Sequence, residues 1–130
     1  MSSAPIRSEK HGSTLVVHLG PEYDSLDDDS LEEVQRFLLG CADVPEARNL
    51  VIDLSHTKYF GSAFLEVLFR PYNRIKRKGG KFALSGLQPN PAEVIRVSRL
   101  DSIWKLYPTA ADAVSGLAES ETEGRGGSSG

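Results

Sequence analysis

The stretch Leu50–Leu54, Leu-Val-Ile-Asp-Leu, constrains the fold more than any other part of the chain. It is too short for a helix and apolar on both faces of a pleat, so it reads as a central strand covered on both sides. The next segment has a different period. From Gly61 to Lys78, Leu65, Leu68, Phe69, Tyr72 and Ile75 recur at helical spacing, while Glu66, Arg70, Asn73 and Arg77 occupy the remaining faces. Gly79-Gly80 stops that helix, and Lys81–Ser85 is a second strand. A strand, a helix and a strand in this order imply parallel neighbours joined by a right-handed crossover.

The flanks extend the pattern. Thr14–Leu19 alternates as a strand closed by Gly20-Pro21, and Ile6–Ser8 supplies a short antiparallel partner. Asp27, Asp28 and Asp29 favour a helix N-terminus, and Ser30-Leu-Glu-Glu33 reads as a capping box for a helix whose stripe is Leu31, Val34, Phe37, Leu38 and Cys41. Asn90-Pro91 reads as the cap and first turn of a helix carrying Val94, Ile95 and Val97, and Ile103–Leu106 as an edge strand. Thr109 caps a last helix with Ala110, Ala113, Val114 and Leu117 inward. The predicted class is α/β: a small mixed sheet of four to five strands with about four packed helices. The domain is expected over 1–119, and 120–130 as a disordered Gly/Ser-rich tail.

A chain of 130 residues suits one domain, and a net charge of -3 gives no reason to expect nucleic acid or an anionic membrane as partner. The basic run Arg70, Arg74, Lys76, Arg77, Lys78 and Lys81 sits at a helix C-terminus, where cations complement the dipole. Cys41 cannot form an internal disulfide, no run is long enough to span a bilayer, and the N-terminus lacks a signal-peptide centre, so the cytoplasm is the expected compartment. His11, His18 and His56 lack metal-ligand spacing, and no acid, base and nucleophile set stands out. No cofactor, metal or enzymatic activity is expected. Pro71 inside the second helix predicts a kink or an early end.

The order of pieces resembles the STAS domain family, the sulphate transporter and anti-sigma factor antagonist domains. The matching pieces are Asp53-Leu54-Ser55, then Gly61-Ser62-Ala63-Phe64-Leu65 at the opening of a helix, then Gly79-Gly80 before a strand; Val94–Tyr107, with Leu100, Asp101 and Ile103, resembles the family's third helix and last strand. The resemblance covers roughly residues 13–118. It implies a binding module that captures an anti-sigma factor, itself a serine kinase, and is released when a serine is phosphorylated. That serine corresponds to Ser62. In this chain Gly61 stands where the family has Asp, Ala63 where a second Ser is common, and Phe64 where a small Gly is usual.

The setting of Ser62 supports such chemistry independently. A serine at the start of a helix lies where backbone N–H groups are unpaired and the dipole is positive, so a phosphate is tolerated there. The bland role is a plain N-cap worth about 1 kcal/mol. Ser55 and Thr57 read as turn-forming hydroxyls. The expected partner surface is Tyr23, Asp24, Tyr59, Gly61, Ser62, Ala63, Phe64 and Glu66, with Phe60 in the core. A second reading, prompted by the altered Gly61–Phe64 motif, is a STAS scaffold subunit of a larger signalling assembly that is never phosphorylated.

Overall fold

The computed structural model describes residues 6–26 and 28–118; the expected tail, 120–130, lies outside the described residues. Strands β1 (Ile6–His11) and β2 (Thr14–Leu19) form an antiparallel hairpin, closed by Gly12 at φ +63°. The expected partner strand over Ile6–Ser8 thus runs on to His11. β4 (Asn49–Asp53), β6 (Phe82–Ser85) and β7 (Lys105–Tyr107) add in parallel, giving the order β1-β2-β4-β6-β7. Two short segments, β3 (Ser25–Leu26) and β5 (Tyr59–Phe60), pair separately and in parallel. Helices α1 (Asp28–Ala42), α2 (Ser62–Arg77), α3 (Pro89–Val97) and α4 (110–118) complete the predicted mixed α/β architecture.

The pleat of the central strands assigns the helices to faces. Leu15, Val17, Leu50, Ile52 and Leu84 point one way and join the buried stripes of α1, α2 and α3 in the larger core. Val16, Val51 and Ala83 point the other way and meet Ala113 and Leu117 of α4. β4 is therefore covered on both sides, which is why its sequence is apolar without alternation. Trp104, only 1% exposed, closes the main core within a cluster formed with Phe69, Tyr72 and Phe82.

Several local expectations shift. α1 begins at Asp28, so Ser30 sits in its first turn rather than capping it, and Asp27 lies outside the described residues. α3 begins at Pro89 with Gln88 as N-cap, which leaves Asn90 exposed inside the first turn, since a proline is pre-set for the first helical position. Val97 faces solvent at 70% exposure rather than the core. The last strand starts two residues late: after Arg99 at φ +61° and the 3-10 turn Leu100–Ser102, the Ile103 and Trp104 N–H groups still bond back to Leu100 O, so pairing begins only at Lys105. Helix α2 does not end early at Pro71 but continues to Arg77, with Pro71 buried. Packing of the ring offsets the missing hydrogen bond, a loss of about 3 kcal/mol or more in an unsupported helix.

Candidate functional site

The chain leaving the carboxyl end of β4 is anchored by its neighbours. Leu54 N–H donates to Ser85 O (2.9 Å), Ser55 N–H to the Asp53 carboxylate (3.1 Å), and the Gln88 side-chain amide to Ser55 O (2.7 Å). Gly86, at φ +70°, must be glycine for a second reason: a Cβ there would stand 2.9 Å from Ser55 Cβ and 3.2 Å from Asp53 Oδ1. Thr57 N–H closes a turn on Leu54 O (3.0 Å), and the chain then crosses to the β2–α1 connection. There Lys58 N–H (2.7 Å) and Tyr59 N–H (3.1 Å) both donate to Asp24 O, which starts the β3–β5 pairing.

This path delivers Gly61 as the N-cap of α2 in extended conformation, φ -109°, and Ser62 as the first helical residue. Gly61 offers no side-chain oxygen to the first-turn N–H groups, and that turn holds no acidic residue. Gly61, Ser62 and Ala63 are exposed, Tyr59 is 59% exposed, and Asp24 and Glu66 are exposed. Glu66 lies one turn beyond Ser62 and therefore on the same helix face. The turn is held from beneath: Phe64 is fully buried and its ring centroid lies 4.9 Å from that of Phe60. Burying a Phe side chain is worth about 1.5–3 kcal/mol, enough to fix the helix start without a cap.

Of the expected partner surface, Asp24, Tyr59, Gly61, Ser62, Ala63 and Glu66 are thus exposed around the start of α2. Phe64 and Tyr23 are not available to a partner as side chains. Tyr23 is 5% exposed and donates its hydroxyl to Glu33 (2.9 Å); burial, then this carboxylate, pushes its pKa up to about 12. Both are large apolar rings beside a forming core, and the same apolarity that suggests an interface drives them inward. Cys41 is buried and its thiol is pushed up to about 11 by burial, which makes it a poor nucleophile.

His18 has more to do than its spacing suggests. On β2 it lies directly across from Asp53, with Nδ1 2.8 Å from Asp53 Oδ2 and Nε2 3.1 Å from Glu9 Oε1. The hydrogen bonds from His18 and His11 hold the Glu9 carboxyl below the usual carboxylate range. A histidine after the apolar run Leu15–Val17 of β2, together with the one acid of Leu50–Leu54, was the available signal. Among the described residues, no group of three or more His, Cys, Asp or Glu is arranged to hold a metal, and no helix is long and apolar enough to cross a membrane.

Comparison with known proteins matches residues 5–113 to the STAS domain model. The chain is 32% identical over 109 residues to the anti-sigma-F factor antagonist RsfB of Mycobacterium tuberculosis, covering 82% of this chain and 84% of that one. It is 26% identical over 117 residues to the anti-sigma F factor antagonist of Paenibacillus polymyxa, covering 86% and 93%. Among solved structures, an anti-sigma-factor antagonist (STAS) domain protein from Planctomyces limnophilus superposes with a TM-score of 0.81 at 29% identity, over 89% of this chain and 99% of that one. With the β4–loop–α2 start, the five-stranded sheet and four helices in place, the chain belongs to the STAS domain family.

Proposed function

We propose that the protein is an anti-sigma factor antagonist: a cytoplasmic, non-enzymatic binding module that captures an anti-sigma factor with serine kinase activity and is switched off by phosphorylation of Ser62. The observation that carries the reading is Ser62 itself, exposed at the first position of a helix whose N-cap is a glycine. The hydroxyl is open to a kinase, and the positive helix end, with no side chain capping the N–H groups of Ser62 and Ala63, tolerates the phosphate that results.

The switch acts on binding rather than on folding. A phosphate adds about 1.5 to 2 negative charges beside exposed Tyr59 and Ala63, and a partner covering this patch must desolvate them. A differential of about 5.5 kcal/mol takes a complex from 99:1 to 1:99, so a partial penalty already releases most of the partner. The relatives' activity as anti-sigma factor antagonists supports the choice of partner.

The test is incubation with a cognate anti-sigma factor kinase and ATP, followed by phosphopeptide mass spectrometry and affinity measurement. One phosphate on Ser62 is expected, with Ser62→Ala binding like wild type and Ser62→Asp at least tenfold weaker, about 1.4 kcal/mol. An unmodified Ser62, or undiminished binding by Ser62→Asp, would favour the scaffold reading instead.

A further inference from the structure

The loop over 54–61 carries the partner-facing surface, and its first anchor is the Asp53 carboxylate. That carboxylate is divided: Oδ1 accepts the Ser55 N–H, while Oδ2 faces His18 Nδ1 at 2.8 Å. A carboxylate only accepts, so the ring must donate from Nδ1. Asp53 and His18 are both mostly shielded, with side-chain exposures of 16% and 17%, so the bond is not dissolved by water. On its other side, the imidazole meets Glu9 of β1. The ring is therefore clamped between two strands, and its orientation sets the rotation of Asp53, which in turn sets where the Ser55 N–H points. The remaining anchors, Ser85 O, Gln88 and Asp24 O, are placed by backbone register or by a single side chain.

We propose that His18 is a positioning residue for the partner-facing loop: by holding Asp53 Oδ2 it fixes the course of 54–61 and hence the presentation of Tyr59 and Ser62. For its functional consequence this inference rests on the reading of Ser62 as the switch. Its structural half can be tested without any partner.

Three variants separate the two contacts of the ring. His18→Asn keeps an amide N–H near the Nδ1 position, His18→Gln reaches toward Glu9 instead, and His18→Leu makes neither bond. Amide hydrogen exchange at Ser55, Thr57, Lys58 and Tyr59 reads the loop, since these N–H groups hold it to Asp53, to Leu54 O and to Asp24 O; Val51 and Ile52 read global opening. In Leu and Gln variants, loop exchange is expected to accelerate by about tenfold, the scale of one charge-assisted hydrogen bond, with core exchange unchanged and Asn restoring protection. Phosphorylation of Ser62 and anti-sigma factor affinity should follow the same order. Equal behaviour of Asn and Gln, or loop and core accelerating together, overturns the proposal. Loop exchange that follows His18 in a protein that engages no anti-sigma factor upholds the positioning role and sinks only the switch reading.

Discussion

The two ends of α2 are built in opposite ways. At the C-terminus the helix is closed several times over: Gly79 and Gly80 N–H groups return to Lys76 O and Ile75 O, and Lys78 Nζ donates to Val44 O (2.9 Å) and Ala47 O (2.6 Å). Arg74 pairs with Asp43 there as well. At the N-terminus there is a glycine N-cap, no acidic side chain and three consecutive exposed residues. A glycine there forgoes roughly a few tenths of a kcal/mol relative to a Ser or Asp cap. The difference separates an end that holds the helix in the domain from one left exposed, where Phe64 N–H turns back to Gly61 O (3.1 Å) and no side chain caps the N–H groups of Ser62 and Ala63.

The contrast breaks most severely at Gly80. A Cβ on Gly80 would stand 1.7 Å from Arg48 O and 2.8 Å from Arg48 C, and backbone at both places cannot move aside cheaply. Gly80→Ala is expected to destabilise by about 3 kcal/mol or more in urea unfolding, or to prevent folding. A Cβ on Gly61 meets nothing within 4 Å, so Gly61→Ala should change stability by less than about 1 kcal/mol. Comparable losses for the two would show that the C-terminal closure is not what holds α2. Next in size, Lys78→Met retains the aliphatic stem and removes both bonds to the α1–β4 connection; about 1 kcal/mol is the expected loss in the same measurement. A loss below the error of unfolding would place that contact among exposed pairs worth nothing.

The closed end was also the legible one. Gly79-Gly80 after a helical stripe and the run Leu50–Leu54 pointed to the strand, the helix stop and the parallel order, because glycine conformation and burial period are local or one-dimensional signals. Ser62 at a strand-to-helix turn was legible for the same reason. What escaped depends on distant partners. β3 and β5 are two residues each and exist because Lys58 and Tyr59 find Asp24 O, a contact across the chain with no periodicity. The inward turn of Tyr23 depends on Glu33, and the role of His18 on its register with Asp53 and Glu9. Trp104 seals the core because three aromatic rings from α2 and β6 converge on it.

The smallest effect sharpens the contrast from the open side. Gly61 already has extended φ and empty space around a new Cβ, so Gly61→Asp introduces a side chain without strain. Its carboxylate is placed to accept from Ala63 N–H, since Phe64 N–H is already bonded to Gly61 O, and adds a negative charge at the positive end of the dipole; together these should raise stability by about 0.5–1 kcal/mol. The gain should shrink with salt, because an exposed charge at a helix end is screened. It should also carry a functional consequence in the opposite direction: the aspartate occupies the donors that a phosphate on Ser62 would use and repels it, so the phosphorylated form should lose the stabilisation. Urea unfolding of Gly61→Asp with and without the Ser62 phosphate reads both effects. A variant no more stable than wild type would mean that these N–H groups are already satisfied, and the open end of α2 would no longer explain why Ser62 is placed there.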